Sequence, residues 1–346
     1  MTTGRRMNKN NVYLKKRQWI PLLLLAIIVG LVAYIVEKVT AYESVDLTLS
    51  DEELGITEDH PSAVNTKSDE IFHMALFGLD RRNSNDQHSR SDAMIIATLD
   101  FKHDKVKLTS LMRDQLVDIE GYGLDKLNHA YAYGGAPLAI KTINQNFGTN
   151  IRNYATVDFF MLEDIINAIG GVTVPINEEE RVELNKQLRS EKKPLIKKEG
   201  EVHMDGETAV AYSRIRYVGD GDFERTERQR RVLQAMVVKA KEAGPYGMAK
   251  LWMTIAPYVE TSLSSDEILT LGRDYYSNEK MEWEQARFPL DGTWRDGRHH
   301  GSWVMEVDLE AQKRVIQDYL YRDVPPQGME TVFKEPLLLG ERLESH

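Results

Sequence analysis

The chain has 346 residues, of which 42% are apolar and 28% charged, a balance typical of a folded protein. It contains no cysteine, which excludes disulfide frameworks, thiolate zinc sites, thiol nucleophiles and iron–sulfur centres. The formal net charge of −10 argues against a protein that wraps nucleic acid, but it conceals an asymmetry. The first 36 residues carry six basic side chains and no acidic one, which leaves 38 basic against 54 acidic side chains in the remainder.

An uncharged run of 17 residues, Ile20–Val36, follows the basic segment. As a helix rising ~1.5 Å per residue it would span roughly 26 Å, enough for a thin hydrocarbon core. The positive-inside rule then places residues 1–18 in the cytoplasm and the main part of the chain outside the cell. We therefore predict a single membrane-spanning helix at residues 19–36. A cleaved signal peptide ending near Val39-Thr40-Ala41 is the alternative.

Composition divides the outer part of the chain into three segments. Residues 37–69 are rich in acidic and polar side chains and are predicted to form an extracellular stalk. Residues 70–324 have the apolar patterns of a folded domain. Residues 325–346, which begin with Pro325-Pro326, are predicted to form a loosely attached tail.

Predicted strands and helices alternate along residues 70–324. Apolar runs predict strands at 71–78, 93–99, 105–111, 154–157, 172–176 and 282–288. Helical spacing predicts helices at 136–147, 159–169, 207–214, 226–243, 248–258, 266–276 and 309–320. The charged segment 177–204 is expected to be mobile, and no element is predicted in it. The alternation predicts an α/β fold, a mixed central β-sheet with helices on both faces, preceded by the membrane helix.

Two carboxylates lie at the ends of neighbouring predicted strands. Asp80 ends the first strand and Asp92 begins the second, so pairing of these strands would bring the two side chains together. Close carboxylates repel unless a cation or a proton joins them, and oxygen ligands without His or Cys suit Mg²⁺, with Mn²⁺ as a substitute. Asp residues at strand ends also bond turn N–H groups, and spacing alone leaves both interpretations open.

Arginines gather further along the chain. Arg113 follows the third strand, where with its neighbouring Asp it would by default form a surface ion pair. Six arginines and no lysine then fall within residues 214–231. Guanidinium groups bind phosphate through paired hydrogen bonds, and Arg225 and Gln229 share one face near the positive end of a predicted helix. A helix with a solvent-exposed charged face would explain the arginines from 225 onward, but not Arg214 and Arg216 before it. The pattern therefore favours a phosphate or pyrophosphate site.

Several other chemistries are excluded by missing motifs. The chain has no Gly-rich phosphate loop followed by Lys, no G-x-S-x-G and no H-E-x-x-H. Its basic residues are not interleaved with aromatic residues, so nucleic acid is not an expected partner. His129, His299 and His300 have no second ligand at metal spacing and are interpreted as structural or solvent-facing.

These clusters, in this order behind an N-terminal anchor, resemble the LytR–CpsA–Psr family of cell-wall glycopolymer transferases. The matching segments, which cover roughly residues 70–240, are Gly78-Leu79-Asp80, Arg90-Ser91-Asp92, Ser110-Leu111-Met112-Arg113-Asp114, Lys126-Leu127-Asn128-His129-Ala130-Tyr131-Ala132-Tyr133-Gly134-Gly135, Asp158-Phe159, Gly170-Gly171-Val172, Asp205-Gly206-Glu207, Arg214-Ile215-Arg216-Tyr217 and Asp220-x-Asp222-Phe223-x-Arg225-x-x-Arg228-Gln229. The chain departs from the family at Met112, where Pro is common, and at Glu224, where Gly is common. Glu224 adds a negative charge beside the expected pyrophosphate.

The resemblance implies transfer of a glycan, such as wall teichoic acid or a capsule precursor, from a polyprenyl-pyrophosphate carrier to a muramic-acid hydroxyl of peptidoglycan. It implies that Asp80 and Asp92 hold Mg²⁺. The residues that it assigns to the pyrophosphate are Arg113, Arg214, Arg216, Arg225 and Gln229, with Arg82 and Arg90 in support. Arg113 and Asp222 are the candidate catalytic residues. Asp222 is either the base that takes the acceptor proton or the carboxylate that orients Arg225.

Three other interpretations remain from the sequence. A protein that binds polyprenyl lipid or wall polymer without turnover would explain the arginines but not the pair Asp80 and Asp92. A pyrophosphatase would use water as the acceptor. A membrane-bound transcription regulator is disfavoured, because 18 cytoplasmic residues are too few for a DNA-binding domain. Arg230 and Arg231, which lie outside the matched pattern, are expected to tolerate Lys.

Overall fold

The computed structural model describes residues 49–56, 70–79, 89–219 and 221–326. The predicted membrane helix, most of the stalk and nearly all of the C-terminal tail lie outside these residues, as do Asp80 and Arg82. Among the helices that the structure describes, none combines the length and the apolar character needed to cross a bilayer.

The first half of the domain begins with strands and passes into alternating helices and strands. In chain order its elements are β1 (Ile71–Leu79), β2 (Ser91–Asp100), β3 (Lys105–Leu111), β4 (Leu116–Ile119), β5 (Gly123–Lys126), α1 (His129–Phe147), β6 (Asn153–Asp158), α2 (Phe159–Ala168) and β7 (Val172–Ile176). Gly134 and Gly135 interrupt α1 with non-helical backbone angles. The helix ends at Gly148, whose φ of 60° lies in the left-handed region that glycine tolerates.

The second half of the domain contains most of the helices. Its elements are α3 (Glu178–Ser190), β8 (Gly200–Met204), α4 (Gly206–Ser213), α5 (Asp222–Glu242), α6 (Gly244–Ile255), β9 (Glu260–Thr261), α7 (Ser265–Ser277), β10 (Glu282–Phe288), β11 (Trp294–His299), β12 (Ser302–Val307) and α8 (Leu309–Arg322). No element was predicted in residues 177–204, whereas the structure has α3 and β8 there. Asn177 and Glu180 form a reciprocal capping box that starts α3, and β8 pairs with β7.

Six strands form one mixed sheet in the order β10-β3-β2-β1-β6-β9, which confirms the predicted α/β fold with a mixed sheet. Strand β2 runs antiparallel to β1 and β3, whereas β6 runs parallel to β1 and β10 parallel to β3. The carboxyl ends of β1, β3, β6 and β10 therefore meet the amino end of β2 at one edge of the sheet. Loops at such an edge are a common place for binding sites.

Helices α8 and α5 lie on opposite faces of this sheet. Lys107 on β3 donates to the main-chain oxygen of Tyr319 on α8, at 2.9 Å. Ser110, three positions further along the same strand, accepts a hydrogen bond from Arg230 on α5. Residues an odd number of positions apart on a strand point to opposite faces, so the two helices cover different sides. The face under α8 and α1 contains the main apolar core, which includes Phe77, Ile140 and Phe288.

A second core lies under α3, α4, α5 and the hairpin of β7 and β8. At its centre Glu180, which is fully buried, accepts hydrogen bonds from Arg228 at 2.9 Å and from Arg231 at 3.1 Å. Arg228 also donates to the main-chain oxygens of Ile215 and Val218. A buried charge is tolerated only when it is paired and hydrogen-bonded, and this network satisfies that condition. It fixes the position of α5 relative to α3 and the segment before α5.

A set of charged residues fixes the end of α8 at the opposite edge of the sheet. Asp323, which follows α8 with a left-handed φ of 56°, contacts Lys105 at 2.8 Å and Lys107 at 2.9 Å. Lys107 is fully buried and also contacts Asp100 at 3.1 Å. Burial alone would raise the pKa of Asp323, but hydrogen bonds from the two lysines outweigh it and the pKa is lowered.

We expect Asp323→Asn to lower the free energy of unfolding at pH 7 by about 1–3 kcal/mol, because it leaves a buried ammonium with one partner fewer. Asn tolerates the left-handed backbone, so the change tests the charge. Because the folded-state pKa is depressed, this contribution is present above the unfolded-state value of about 4 and is lost as the pH falls through the folded-state value.

Chemical denaturation of the full chain in detergent at pH 7 and at about pH 3 measures this difference. Asp318→Asn, which removes an exposed pair with Arg322, is the matched control and should change stability by less than about 0.5 kcal/mol. Equal stability of the wild type and Asp323→Asn at pH 7 would contradict the assignment.

Candidate functional site

Asp92 stands on a β-bulge at the edge where the strand ends meet. Gly78 pairs with Ala93 and Leu79 pairs with Ser91, so Asp92 is the extra residue of β2. Bulges change the direction of a side chain and are frequent beside active sites. Leu79 is the residue directly before Asp80, which itself lies outside the described residues.

Arg113 lies two residues beyond β3 and contacts three carboxylates. Its guanidinium donates a short hydrogen bond to Asp92 and lies 3.3 Å from Asp114 and 3.2 Å from Asp222. Burial lowers the pKa of Arg113, but the charges of the three carboxylates outweigh it, so the pKa is raised. The main chain of this segment is also fixed, because Met112 donates to the main-chain oxygen of Phe288 on β10.

Asp222 begins α5 and lies among three guanidinium groups. Its carboxylate oxygens are 3.0 Å from Arg225, 3.2 Å from Arg113 and 3.7 Å from Arg216. Gly221 precedes the helix with a positive φ of 67°, which turns the chain sharply after the preceding arginines. Arg113 at the end of β3 and Arg225 on α5 therefore share the carboxylate of Asp222.

Arg225 is 2% exposed and has both cationic and anionic neighbours. It contacts Asp222 and lies 3.5 Å from the main-chain oxygen of Asp92. Burial, followed by repulsion from Arg113 and Arg216, lowers its pKa to about 10, so it stays charged at neutral pH. Within the described residues, Arg225 Nε and Gln229 Oε1 are buried without a hydrogen-bond partner. A second anion such as a phosphate group suits this arrangement, because its oxygens accept from guanidinium groups.

The structure thus brings together Asp92, Arg113, Arg216, Asp222 and Arg225, with Gln229 one turn along α5. Arg216 is half exposed and contacts both Asp92, at 3.6 Å, and Asp222. The other two described arginines predicted for the site have aromatic neighbours. Arg214 stacks on Phe159, and Arg90 lies 3.4 Å from Nε2 of His129.

Three residues of this region were not predicted as site residues. Lys126, at the end of β5, contacts Asp114 at 2.7 Å, and Asp114 contacts Arg113. His129 follows at the start of α1. Lys126 and His129 belong to one matching segment, but the sequence did not show that the hairpin of β4 and β5 packs beside the end of β3.

Asp92 is the only described member of the predicted metal pair. It offers hard oxygen ligands at an arginine-rich edge, and Mg²⁺ binds through one or two carboxylates together with substrate phosphate. The carboxylate of Asp92 and its position beside the arginines therefore fit a role as a ligand of Mg²⁺. Among the described residues, the one group with metal-ligand geometry is Asp100, His103 and Asp323, where the ammonium of Lys107 already contacts both carboxylates.

The comparison with known families decides the relationship. The model of the LytR_cpsA_psr family matches residues 39–317, most of the chain. The chain belongs to this family.

Two relatives of this chain are named as teichoic acid transferases. A polyisoprenyl-teichoic acid–peptidoglycan teichoic acid transferase, TagU of Enterococcus faecalis, is 34% identical over 220 residues, which are 62% of this chain and 69% of the relative. TagU of Bacillus cereus is 30% identical over 281 residues, 79% of this chain and 87% of the relative. The solved structure of the family protein YwtF (TagT) with bound octaprenyl pyrophosphate lipid has a TM-score of 0.57 at 26% identity, covering 77% of this chain and 98% of that one.

The structure also shows where the departure at Glu224 lies. Its carboxylate is 4.0 Å from the guanidinium of Arg228, which is held by Glu180 in the second core. The additional negative charge is therefore paired with an arginine of the second core.

Arg230 has a structural position that the sequence did not indicate. It is buried and donates to Ser110 at 2.6 Å and to Gln285 at 3.1 Å, which attaches α5 to β3 and β10. Burial lowers its pKa to about 10. Arg230 is therefore unsuitable as an inert control for the site.

We expect Arg230→Lys to lower the free energy of unfolding by about 1–3 kcal/mol, because lysine keeps the charge but cannot make both hydrogen bonds. Denaturation of the full chain in detergent measures the change. Arg273→Lys is the matched control, because Arg273 is exposed and pairs only with its neighbour Asp274 among the described contacts. Equal stability of the two variants would show that Arg230 is not needed to attach α5.

Proposed function

We propose that the chain is a glycopolymer phosphotransferase. It moves a glycan of the wall teichoic acid or capsule type from a polyprenyl-pyrophosphate carrier to a muramic-acid hydroxyl of peptidoglycan. The observation that supports this best is the cluster of three guanidinium groups around Asp92 and Asp222 at the sheet edge. The names of the relatives and the lipid bound to the family structure agree with it.

The arginines bind the pyrophosphate of the donor in this proposal. Arg113, Arg216 and Arg225 supply hydrogen-bond donors from different elements, and Gln229 adds its amide. Each charge-assisted hydrogen bond to phosphate contributes about 1.5–3 kcal/mol. Arg82, Arg90 and Arg214 are assigned supporting roles for the same anion. Of the two roles considered for Asp222, base or orienting carboxylate, we assign the second. Its carboxylate contacts Arg113, Arg216 and Arg225 and therefore orients their guanidinium groups.

Asp92 holds Mg²⁺, or Mn²⁺ in its place, with Asp80 as the second ligand. The metal supplies positive charge that neutralises phosphate oxygens as the bond to phosphorus changes. Asp92 is suited to this role because the bulge directs it toward the arginines that receive the phosphate.

The transfer is a displacement at phosphorus. The acceptor hydroxyl oxygen forms a bond to the glycan-proximal phosphorus, the bond from this phosphorus to the bridging oxygen breaks, and polyprenyl phosphate leaves with the electron pair. Arg113 touches the transferred phosphoryl group and stabilises the charge on its equatorial oxygens. The pyrophosphate bond supplies the free energy, so no ATP is required.

The proposal includes an uncleaved membrane anchor at residues 19–36, with a cytoplasmic N-terminus and an extracellular catalytic domain. The basic segment followed by an uncharged run supports this topology. It places the domain on the side of the membrane where peptidoglycan is assembled and keeps it close to a lipid-linked donor.

An assay with the full chain in detergent, octaprenyl-pyrophosphate-linked glycan and peptidoglycan strands tests the transfer. We expect polyprenyl phosphate to be released in equal amount with glycan bound to peptidoglycan. Arg113→Lys and Arg225→Lys should each reduce the rate at least about tenfold, because lysine lacks the planar fork, whereas Arg273→Lys should not. A lipid-binding protein would release no product, and a pyrophosphatase would release product without an acceptor.

The metal is tested by titrating Mg²⁺ in the same assay. Asp92→Asn should raise the Mg²⁺ concentration needed for half-maximal rate at least about tenfold, because one charged ligand is lost. Asp118→Asn, at an exposed position of β4, is the control. Thermal denaturation checks that both variants are folded. Full activity of Asp92→Asn at low Mg²⁺ would contradict the metal assignment.

A further inference from the structure

A carboxylate–imidazole pair lies beside the arginine site, and the proposed function does not yet use it. Nδ1 of His129, the first residue of α1, is 2.8 Å from Asp125 on β5. Both side chains are about one-fifth exposed. Tyr133, one turn along α1, donates to the same oxygen of Asp125 at 2.6 Å.

The neighbours of His129 determine its tautomer. Arg90 approaches Nε2 with a guanidinium nitrogen at 3.4 Å, and a guanidinium group can only donate. Nε2 is therefore the accepting nitrogen, and Nδ1 carries the proton that is donated to Asp125. This is the arrangement in which a carboxylate holds a neutral imidazole as a base, with the accepting lone pair on Nε2 directed away from the carboxylate.

The imidazole is joined to the arginine site by short connections. The main-chain N–H of Asn128, the residue before His129, donates to the main-chain oxygen of Arg113 at 3.1 Å. Lys126, the residue after Asp125, contacts Asp114 beside Arg113. Arg90, which approaches Nε2, is exposed and belongs to the arginines assigned to the donor phosphate. Nε2 is thus one hydrogen bond away from a phosphate-binding group.

Asp222 is less suited to take a proton. Its two oxygens face Arg113, Arg216 and Arg225 within 3.7 Å. An acceptor hydroxyl would have to displace one of these guanidinium groups from the carboxylate. Among the described residues, Arg90 is the one group hydrogen-bonded to Nε2 of His129, and this hydrogen bond is long, at 3.4 Å.

We propose that His129 is the general base of the transfer and that Asp125 positions it. This inference rests on the proposed transferase function. The muramic-acid hydroxyl gives its proton to Nε2 while its oxygen bonds to the glycan-proximal phosphorus and the bond to polyprenyl phosphate breaks. The resulting imidazolium is paired with Asp125 and loses its proton to solvent, which restores the base.

The surroundings of Asp125 keep it charged for this role. Burial raises the pKa of Asp125, but the hydrogen bonds from Tyr133 and His129 outweigh it, and the pKa is lowered. The same hydrogen bond to Asp125 raises the pKa of Tyr133 to about 12, so Tyr133 remains a donor. Tyr122 stacks on Tyr133 with ring centroids 4.2 Å apart, which supports the ring from the exposed side.

The test compares His129→Gln with the wild type, using the full chain in detergent, octaprenyl-pyrophosphate-linked glycan and peptidoglycan strands. We expect kcat for transfer to fall at least about 100-fold, while the Kd for octaprenyl pyrophosphate changes less than about threefold. Asp125→Asn should lower kcat at least about tenfold, because it alters the tautomer. His203→Gln, an exposed histidine of β8, is the control and should leave both values unchanged.

A pH profile gives the second readout. The charged and titratable groups that face the imidazole are Asp125, Arg90 and Tyr133. Wild-type kcat/KM should rise with pH, because a general base must be deprotonated to accept the proton, and His129→Gln should lose this rise. Added imidazole should restore part of the kcat of His129→Ala, an effect that a structural role would not produce.

The outcomes separate the two proposals. Transfer by the wild type together with an unchanged kcat and pH rise in His129→Gln overturns the role of His129 and leaves the transferase function standing. Loss of the pH rise in Asp222→Asn, with its retention in His129→Gln, assigns the base to Asp222 and also overturns the inference. If the wild type binds the donor but transfers nothing to peptidoglycan, both proposals fail.

Discussion

The site depends on one electrostatic constraint, which is that three guanidinium groups are held close together by carboxylates that they share. Asp92 and Asp222 contact Arg113 and Arg216, and Asp222 also contacts Arg225. Like charges at this distance repel, and burial strengthens the repulsion because the medium screens it less. The pKa of Arg225 is lowered first by its burial and then by repulsion from Arg113 and Arg216. A phosphate anion would relieve this repulsion, so the fold holds the arginines ready for an anionic ligand.

Helix α5 meets this constraint because its arginines have different partners on different faces. Arg225 and Gln229, four residues apart, face the site, whereas Arg228 is bound by Glu180 in the second core. Arg230 attaches the same helix to the sheet through Ser110 and Gln285. The two structural arginines fix the rotation of α5, and that rotation determines where Arg225 points. The arginines of α5 form one charged cluster in the sequence, but they have two roles in the structure. Arg228 and Arg230 hold the helix in place, whereas Arg225 faces the site.

Strong apolar periodicity made most of the central sheet predictable. The strand at Ile71–Leu79 is a largely apolar run, and Lys105–Leu111 and Glu282–Phe288 have apolar side chains spaced between polar ones. The positions of the predicted strands placed Asp92 and Arg113 at strand ends. Residues 177–204 were misinterpreted because α3 buries Glu180, a charge that a hydrophobicity pattern counts as exposed. The short hairpins, such as Trp294–Val307, were missed because their strands are half exposed and lack a clear period. The burial of Arg230 depends on partners far along the chain, which no local pattern contains.

Arg113 joins the two halves of the proposed mechanism. Its side chain contacts Asp92 and Asp222 on the donor side, and its main-chain oxygen accepts from Asn128, next to the proposed base. The main chain beside it is tied to β10 through Phe288, so the end of β3 has little freedom to move. Displacement at phosphorus requires the attacking oxygen and the phosphoryl group to be positioned together, and small misplacements reduce the rate strongly. Building both sides on one strand end that is hydrogen-bonded to its neighbours meets that requirement.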